Sequence, residues 1–186
     1  ARALLSSAGY CDGRLLQVPL TFRSNVPADK LLALTWQAQV KRDLSDCLVL
    51  KLDGVESTTV YRQLGEGAFK AVMLDWRGTY PDPEAYLTPL LSCSNPSGEI
   101  CLDGEAAISG SFWSTSGLQE ALRSSDELRG AARHAELKRI ERMSALGAAY
   151  IPVWLESPRA WGQTDLSVPE FDGSGHVRLN RLRRTR

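Results

Sequence analysis

The sequence predicts an α/β fold built on a mostly parallel, three-layer sheet with an additional edge strand and a long irregular loop. Three observations lead to this prediction. Residues 15–76 alternate between strand-like and helix-like patterns in the order strand, helix, strand, helix, strand. Prolines and glycines then interrupt the middle of the chain, and a second helical region follows with one further strand-like run. The first alternation is typical of a parallel sheet with right-handed crossovers.

The first half of the chain supplies the elements of the predicted sheet. Residues 15–22 alternate apolar and polar side chains, as a strand does, and Pro19 favours a position near the sheet edge because it lacks an N–H donor. Residues 24–27 are expected to end this strand and to start a helix that runs to about Leu44, with Leu32, Trp36 and Val40 on one face. Three further elements are expected: a strand at 47–52, a short helix at 57–64, and a strand at 71–76 that is buried on both faces.

The second half is predicted to be less regular. No periodic pattern is found in residues 77–116, whereas Ser124 with Glu127 predicts a capping box that starts a helix ending near Leu146. The expected apolar stripe of that helix, interrupted by Arg139, is Leu128, Ala131, Ala132, Ala135, Met143 and Leu146. Residues 150–155 predict a fourth strand, at an edge because of Pro152. The C-terminal segment 156–186 is expected to be irregular, with one short strand at 176–179.

Composition excludes two classes of partner. Lys+Arg and Asp+Glu number 22 each, and this balance argues against nucleic-acid binding, which needs a basic excess. The local excess of arginine in residues 178–186 is interpreted as a solvated terminus. No apolar run approaches the roughly 20 residues that span a bilayer, so this segment is not expected to insert into a membrane. The chain opens as if inside a helix, and we expect either a removed targeting segment or an excised piece.

The four cysteines lack the paired spacing of a zinc site, and no metal is expected. Their even number is compatible with two disulfides in an oxidising compartment, for which three connectivities exist. Cys93 and Cys101 flank a turn-rich loop that could bring them together. Cys11 and Cys47 each precede a predicted strand and could meet at one sheet edge. The alternative is four buried thiols.

No catalytic motif is present, so we expect a protein that is not an enzyme and that uses no cofactor. The sequence has no nucleophile elbow, no P-loop and no dinucleotide fingerprint. His134 and His176 have no neighbouring nucleophile and are interpreted as surface residues. Asp82 and Glu84 form a carboxylate pair, but acids beside prolines in a loop more often cap turns.

The candidate binding residues follow the third predicted strand. In open α/β sheets ligands bind at the carboxyl ends of the strands, and this end carries Trp76, Arg77, Thr79 and Tyr80. The two aromatic rings could stack on a solute, while Arg77 and Thr79 could donate hydrogen bonds to it. The alternative interpretation is that Trp76 belongs to the core and that the prolines only shape a turn.

Several segments resemble the oligopeptide/dipeptide/nickel family of solute-binding proteins of ABC transporters. They are residues 4–10, residues 21–25, residues 61–64, residues 69–83 with a Trp-x-x-x-Tyr-Pro-Asp-Pro motif, and residues 136–154 ending in Ala149-Tyr150-Ile151-Pro152-Val153-Trp154. The resemblance covers roughly residues 3–180 in consistent order. It implies that residues 1–186 form a single lobe of the type II periplasmic binding protein fold. The resemblance further implies that this lobe is the second, C-terminal one, and that the first lobe is not part of this sequence.

The resemblance also implies roles for single residues. The cleft wall would contain Arg23 beside the four loop residues, and Lys30 lies near the place of a cation that meets the solute's carboxylate. Thr79 occupies the position of an acid that holds a peptide's α-amino group in peptide-binding members. A neutral threonine cannot replace that charge, so free-amine peptides are not expected unless Asp75 or Asp82 substitutes. A disulfide after the loop 87–91 in some members favours the pair Cys93–Cys101.

The function that the resemblance implies is non-catalytic binding of a peptide or related small solute for ABC-type import. Its partners would be the solute, the permease subunits and the protein's own first lobe, and its location would be periplasmic or extracytoplasmic, membrane-anchored in the full-length protein. The alternative is a ligand-sensing domain of the same fold fused to a transcriptional regulator, which a helix-turn-helix upstream would indicate. An α/β hydrolase-like or flavodoxin-like enzyme is the third option, for which no catalytic residue can be named.

Overall fold

The computed structural model describes residues 1–185, which form two compact units. Unit 1 comprises Ala1–Asp75 together with Ala107–Phe112. Unit 2 comprises Trp76–Ala106 and the chain from Trp113 onward. Each unit has its own hydrophobic core.

Unit 1 contains the parallel α/β part of the chain. Its elements are helix α1 (Arg2–Ser7), strand β1 (Leu16–Arg23), helix α2 (Pro27–Leu44), strand β2 (Leu48–Val55) and helix α3 (Ser57–Gln63). The two strands pair in parallel, from Leu16 opposite Leu48 to Arg23 opposite Val55. A parallel pair needs a crossover, and α2 provides it, beginning with a proline at its first position where no N–H partner is missing. The predicted α/β class and these first elements are confirmed.

The core of unit 1 lies between α2 and the two strands. Ala33 and Val40 of α2 are buried with Leu20, Phe22 and Leu50, and Trp36 packs against them. Full burial of a leucine or phenylalanine stabilises a fold by about 2–3 kcal/mol, so this small cluster is the main stabilising contact of the unit. The predicted helix face is therefore confirmed at Trp36 and Val40.

The prediction of a third strand at residues 71–76 is wrong, because this segment forms only one bridge. In residues 71–76 only Val72 pairs, by a single parallel bridge to Thr21. The Thr21 N–H donates to the Ala71 carbonyl and the Met73 N–H donates to the Thr21 carbonyl, both at 2.9 Å. The segment is half-buried or exposed rather than buried on both faces. Pro19 lies on the same side of β1 as Thr21, where no N–H is required because the pairing begins only at Thr21.

A return segment, Ala107–Phe112, completes unit 1. It lies against the end of α3 and the 3-10 turn Leu64–Glu66 that follows it. Gly110 has a positive φ of 85°, and a Cβ added there would stand 2.9 Å from the Leu64 side chain. Glycine is therefore required both by the backbone conformation and by the close approach to Leu64, which is buried.

Unit 2 is mainly helical. Its elements are helix α4 (Thr88–Leu91), the two-residue strands β3 (Pro96–Ser97) and β4 (Ile100–Cys101), helix α6 (Leu118–Glu127) and helix α7 (Gly130–Gly147), and helix α5 (Glu105–Ile108) spans the boundary between the units. Two 3-10 turns occupy Pro83–Tyr86 and Leu179–Arg181. The core consists of Leu91, Leu118, Ala121, Leu122, Leu137 and Ile140.

Four sequence predictions for unit 2 are wrong in whole or in part. Ser124 does not start a helix, because α6 begins after Gly117 and contains it, and a new helix begins at Gly130. The buried face of α7 carries Leu137 and Ile140 instead of the predicted alanines. Of the predicted stripe, Met143 does pack against the core, whereas Leu146 is exposed. Residues 150–155 form no strand, and in residues 176–179 only Val177 pairs, by one bridge to Phe171.

Both predicted disulfides are present. Cys11 pairs with Cys47 in unit 1, and Cys93 pairs with Cys101 in unit 2. The first joins the turn before β1 to the residue before β2, so a covalent bond links the chain near the starts of the two parallel strands. The second closes the short antiparallel pair β3–β4. The alternative of four free thiols is excluded.

Candidate functional site

The loop that begins at Trp76 presents two aromatic rings to solvent while fixing their polar ends. The Trp76 indole N–H donates to the Ala85 carbonyl at 2.8 Å, and the residue is 45% exposed. The Tyr80 hydroxyl donates to the Glu84 carboxylate, and this residue is 43% exposed. Each ring is therefore tethered to the 3-10 turn Pro83–Tyr86, so the loop holds the two rings in place without burying them. The interpretation of Trp76 as a core residue is not supported.

Asp82 anchors the loop through two sets of hydrogen bonds. Its carboxylate accepts the Glu84 N–H at 2.9 Å, which caps the 3-10 turn, and it forms a bidentate pair with Arg133 at 2.8 and 2.9 Å. The Arg133 hydrogen bonds, with the Glu84 N–H, lower the pKa of Asp82. Asp82 thus caps a turn, as proposed from its sequence context, and it is not available as an acid or base.

Gly78 makes the loop compact. It is buried, and a Cβ at this position would stand 2.7 Å from the Tyr86 ring and 3.2 Å from the Ala85 side chain. Any larger residue must displace Tyr86. The glycine between the two aromatic residues therefore lets the loop lie directly on the 3-10 turn.

Arg77 and Thr79 are the polar residues between the rings. Both are exposed, and neither side chain makes a hydrogen bond or ion pair with any residue in the described range 1–185. The backbone of the loop is held by Ser174, whose hydroxyl donates to the Thr79 carbonyl at 3.2 Å. A cation and a hydroxyl thus remain accessible beside two exposed rings.

Arg23 lies in unit 1 and is almost fully saturated by its neighbours. Its Nε donates to Asp29 at 2.7 Å and its Nη2 to the same carboxylate at 3.1 Å. Its Nη1 donates to the Tyr61 hydroxyl at 2.8 Å and to the Asp75 carboxylate. The hydrogen bonds that Arg23 donates to Asp29, reinforced by the one to Asp75, raise the pKa of Arg23 despite its burial. We name Arg23, Asp29, Tyr61 and Asp75 the Arg23 cluster.

The other members of the Arg23 cluster are also coupled to one another. The Tyr61 hydroxyl donates to Asp75 at 2.8 Å. Burial and the Asp75 carboxylate raise the pKa of Tyr61. Partial burial would raise the pKa of Asp75, but the hydrogen bonds from Tyr61 and Arg23 outweigh it and leave that pKa lowered. Asp75 is therefore ionised, and its hydrogen bond from Arg23 connects the end of segment 71–76 to the end of β1.

The six predicted binding residues divide between the units. Trp76, Arg77, Thr79 and Tyr80 lie together in one loop of unit 2, whereas Arg23 and Lys30 belong to unit 1. Lys30 is exposed on the first turn of α2, and Arg23 is buried. The role of all six in binding a solute stays a prediction.

Sequence reasoning missed Asp29, Tyr61 and Arg133, the partners that hold Arg23 and Asp82. Tyr61 and Arg133 are distant in sequence from the residues that they bind, and their local sequence carries no sign of the pairing. Asp29 is the acidic residue in the first turn of α2, a common place for an acid, so its position indicated a helix start rather than an ion pair.

No metal site or membrane span is found in the part of the chain that the structure describes. Within residues 1–185 no three side chains of histidine, cysteine, aspartate or glutamate gather in a way that could hold a metal ion. No helix in the same range has the length and apolarity needed to cross a membrane. His134 and His176 are both exposed, as predicted.

Comparison with known proteins gives matches among solved structures. No family model matches this sequence, and no curated protein does. The murein tripeptide binding protein MppA of Escherichia coli is 22% identical, with a TM-score of 0.65 over 79% of this chain and 26% of that chain. NikA from Brucella suis, in complex with Fe(III)-EDTA, is 18% identical, with a TM-score of 0.68 over 98% of this chain and 37% of that one.

A third structure gives the same result. OppA of Haemophilus influenzae, in complex with the peptide RPPGFSPFR, is 17% identical, with a TM-score of 0.63 over 76% of this chain and 25% of that one. This chain therefore spans between a quarter and somewhat over a third of the length of these structures. The similarity shows the fold: the chain is α/β with the fold of part of a type II periplasmic binding protein, as the sequence predicts.

Proposed function

We propose that this chain is the second lobe of a two-lobed solute-binding protein that delivers a peptide or related small solute to an ABC importer and does not transform it. The fold supports this proposal, since the similar structures include binding proteins for a murein tripeptide, an oligopeptide and a metal chelate. The share of those chains that is matched supports a single lobe. The complete protein would close its two lobes on the solute, and the importer would bind the closed form.

The observation that carries the proposal is the pair of exposed rings at Trp76 and Tyr80. The two rings lie four residues apart in one loop, both are nearly half exposed, and the polar end of each is fixed by a hydrogen bond. A binding surface needs this combination of a preformed apolar face and a few polar groups, because little conformational entropy is then lost on binding. The accessible Arg77 and Thr79 supply the polar groups.

The charges of the loop support a solute with an anionic or neutral group facing it. Asp82 and Glu84 are both engaged within unit 2, while Arg77 has no partner in residues 1–185. A free ammonium group would need an available carboxylate, and Thr79 offers only a hydroxyl. We therefore infer that the loop meets the carboxylate or a neutral part of the solute rather than a free amine.

The two disulfides support an extracytoplasmic location. Disulfides persist in the periplasm and outside the cell, and they are rare in a reducing cytosol. A location of this kind agrees with import and disagrees with a cytoplasmic regulator, the alternative drawn from the sequence. A membrane anchor elsewhere in the complete protein would complete the arrangement.

The experiment uses the complete protein that contains this chain. Native mass spectrometry of the purified protein identifies a co-purifying solute, and calorimetry measures its affinity for the wild type, Trp76→Ala and Trp161→Ala. Trp161 is a matched control because it is also exposed but lies outside the loop. We expect Trp76→Ala to weaken binding by about tenfold or more, since a stacked ring contributes about 1 kcal/mol beyond its buried area.

Two results would contradict the proposal. One is equal solute affinity in the wild type and Trp76→Ala. The other is micromolar binding by this chain alone, because a single lobe lacks half of the contacts that a closed cleft provides.

A further inference from the structure

The C-terminal segment of unit 2 returns to the candidate binding loop, which we define as residues 76–81. The contact is made by residues 172–176, which we name the C-terminal turn. The Ser174 hydroxyl donates to the Thr79 carbonyl at 3.2 Å, although the two residues are 95 positions apart in the sequence. A distant part of the chain therefore holds the backbone of the loop.

Gly173 gives the C-terminal turn a second contact with the loop. A Cβ added to Gly173 would stand 3.0 Å from the Cβ and Cγ atoms of Pro81, so the backbone of the turn lies directly on the proline ring. The φ of Gly173 lies outside the left-handed region, so this close approach, and not the backbone conformation, favours glycine here. The contacts at Thr79 and Pro81 fall on either side of Tyr80, whose ring is exposed.

The C-terminal turn is itself closed by hydrogen bonds. The Asp172 carboxylate accepts the N–H groups of Ser174 and His176, each at 2.9 Å. The backbone adds two bonds, since the Asp172 N–H donates to the His176 carbonyl at 2.9 Å and the Gly175 N–H donates to the Asp172 carbonyl at 3.0 Å. The N–H groups of His176 and Ser174 lower the pKa of Asp172, so this acceptor is ionised at neutral pH. The Ser174 hydroxyl is thus presented from a closed turn.

The two arms of the chain that flank the C-terminal turn also pair with each other. Phe171 and Val177 form an antiparallel bridge at the base of the turn. One residue further out, the Arg178 N–H donates to the Glu170 carbonyl at 2.8 Å. A turn that is held at its base in this way provides a fixed support for the loop.

The candidate binding loop has few polar restraints of its own between its two rings. Within the described residues 1–185, the hydrogen bond from Ser174 is the only one that reaches residues 77–79. The exposed Arg77 and Thr79 therefore depend on Ser174, besides the packing of Gly78, for the position of their backbone. A loop that is ordered before the solute arrives loses less conformational entropy on binding, and the affinity is higher.

We propose that Ser174 is a positioning residue for solute binding, which fixes the candidate binding loop through the Thr79 carbonyl while Gly173 sets the distance between turn and loop. This inference rests on the proposed function, because a fixed loop raises the affinity only if the loop contacts a solute. Solute affinity should then respond to substitutions in a turn that is remote from the loop in sequence.

The first test measures the loop without any solute. Hydrogen exchange at the Asp82 amide reports on the loop, because this N–H donates to the Tyr80 carbonyl at 2.9 Å. In the complete protein we expect Ser174→Ala to accelerate this exchange about three- to tenfold, the usual range for the loss of one neutral hydrogen bond, and Ser174→Thr to restore it. Ser157→Ala is the control, because Ser157 is an exposed serine of the same C-terminal segment. Equal exchange in the wild type and Ser174→Ala would overturn the inference.

The second test measures solute affinity in the same variants by calorimetry. The probe is the compound that native mass spectrometry finds bound to the purified wild type, or the peptide RPPGFSPFR with an acetylated amino end where none is found. We expect Ser174→Ala to weaken binding about three- to tenfold at an unchanged unfolding temperature, and Ser174→Thr to bind as the wild type does. A lower unfolding temperature with unchanged affinity would show that the turn only supports the fold, and it would overturn the inference.

A matched pair of glycine variants tests the contact at Pro81. Gly173→Val forces the turn away from Pro81, whereas a Cβ at Gly162 stands 3.8 Å from Leu166, an ordinary contact distance. Neither glycine has a φ in the left-handed region, so the backbone accepts valine at both positions. We expect Gly173→Val to weaken binding of the same probe by about tenfold and Gly162→Val to leave it unchanged. Equal affinities of the two variants would count against a role of the turn.

The proposed function is judged by a separate readout. If the wild type and every variant bind no solute while Ser174→Ala still accelerates exchange at Asp82, the proposed function is contradicted and the hold of the turn on the loop remains. If the wild type binds and Ser174→Ala binds equally well, the inference is contradicted and the proposed function remains.

Discussion

The two arginine–aspartate pairs of the molecule have similar geometry and different surroundings. In unit 1, Arg23 and Asp29 are joined by two hydrogen bonds, and the side chain of each is only 7% exposed. In unit 2, Arg133 and Asp82 are also joined by two hydrogen bonds, but their side chains are 23% and 34% exposed. The buried pair belongs to the end of β1 and the start of α2, and the half-exposed pair holds a loop.

The difference shows that the same ion pair can have two functions. A buried charge whose partner is removed has no water to replace it, so the Arg23–Asp29 pair fixes the geometry of unit 1. A half-exposed charge is rehydrated when its partner is lost, so the Arg133–Asp82 pair mainly restricts the motion of the loop. The predictions below test this contrast, beginning with the largest effect.

Replacing Asp29 should cause the largest loss of stability. Asp29→Asn leaves the buried guanidinium of Arg23 without its main counter-charge, which typically costs about 3–5 kcal/mol. Urea unfolding at neutral pH measures the change. Asp43→Asn is the control, because Asp43 lies in the same helix but pairs with Arg42 in solvent. Equal losses in the two variants would contradict a structural role for the buried pair.

The disulfide of unit 1 should stabilise the protein more than the disulfide of unit 2, just as the buried ion pair of unit 1 should stabilise it more than the half-exposed pair of unit 2. The loop closed by Cys11–Cys47 has a sequence separation of 36 and that closed by Cys93–Cys101 a separation of 8. On chain entropy alone the first contributes about 4 kcal/mol and the second about 2.5 kcal/mol. The double variants Cys11→Ala/Cys47→Ala and Cys93→Ala/Cys101→Ala, unfolded in urea, test this order. A larger loss for the second pair would show that native-state contacts, not loop length, decide.

Removing the Tyr61 hydroxyl should have a moderate effect. Tyr61→Phe deletes the group that bridges Arg23 and Asp75 while keeping the ring that lies beside the guanidinium. We expect a loss of about 1 kcal/mol in the free energy of unfolding, the usual net value of one such hydrogen bond. Tyr10→Phe in the same unit is the control. A loss no larger than that of Tyr10→Phe would mean that the Arg23 cluster is held by its carboxylates alone.

Replacing Asp82 should have the smallest effect and a clear pH dependence. At pH 7 the decrease in urea midpoint caused by Asp82→Asn should be several times smaller than the decrease caused by Asp29→Asn. The pKa of Asp82 is lowered in the folded chain by Arg133 and the Glu84 N–H, so its stabilisation is present above the ordinary carboxyl pKa of about 4. It is lost as the pH falls through the lowered value. The wild type and the variant should therefore converge below about pH 4, and a constant difference would contradict the pair.

Local patterns predicted the first half of the fold well. The start of α2 follows from Pro27, and the β1–α2–β2 order follows from alternation and helical spacing. The strands at 71–76 and 150–155 were wrong for one physical reason: an apolar, β-branched run indicates the ability to form a strand, while a strand also needs a partner edge. Val72 finds one pairing position, on Thr21, whereas residues 151–155 find none within the described residues 1–185.

The helical region shows a second limit of sequence patterns. Ser124 with Glu127 fits a capping box, yet the helix already begins after Gly117, whose left-handed backbone ends the preceding turn. The candidate loop was predicted because its aromatic and polar residues are contiguous. The ion pair that holds this loop could not be predicted from the sequence, because Arg133 reaches Asp82 only through the tertiary packing of α7.

The return of residues 107–112 to unit 1 has a practical consequence for dividing the protein into smaller pieces. The unit is not one continuous stretch, so a clone that ends after Asp75 would omit the residues that cover Leu64. Such a shortened product would expose a side chain that is now buried, and it would be prone to proteolysis and precipitation. A usable shortened version would need residues 107–112 joined back through a short linker.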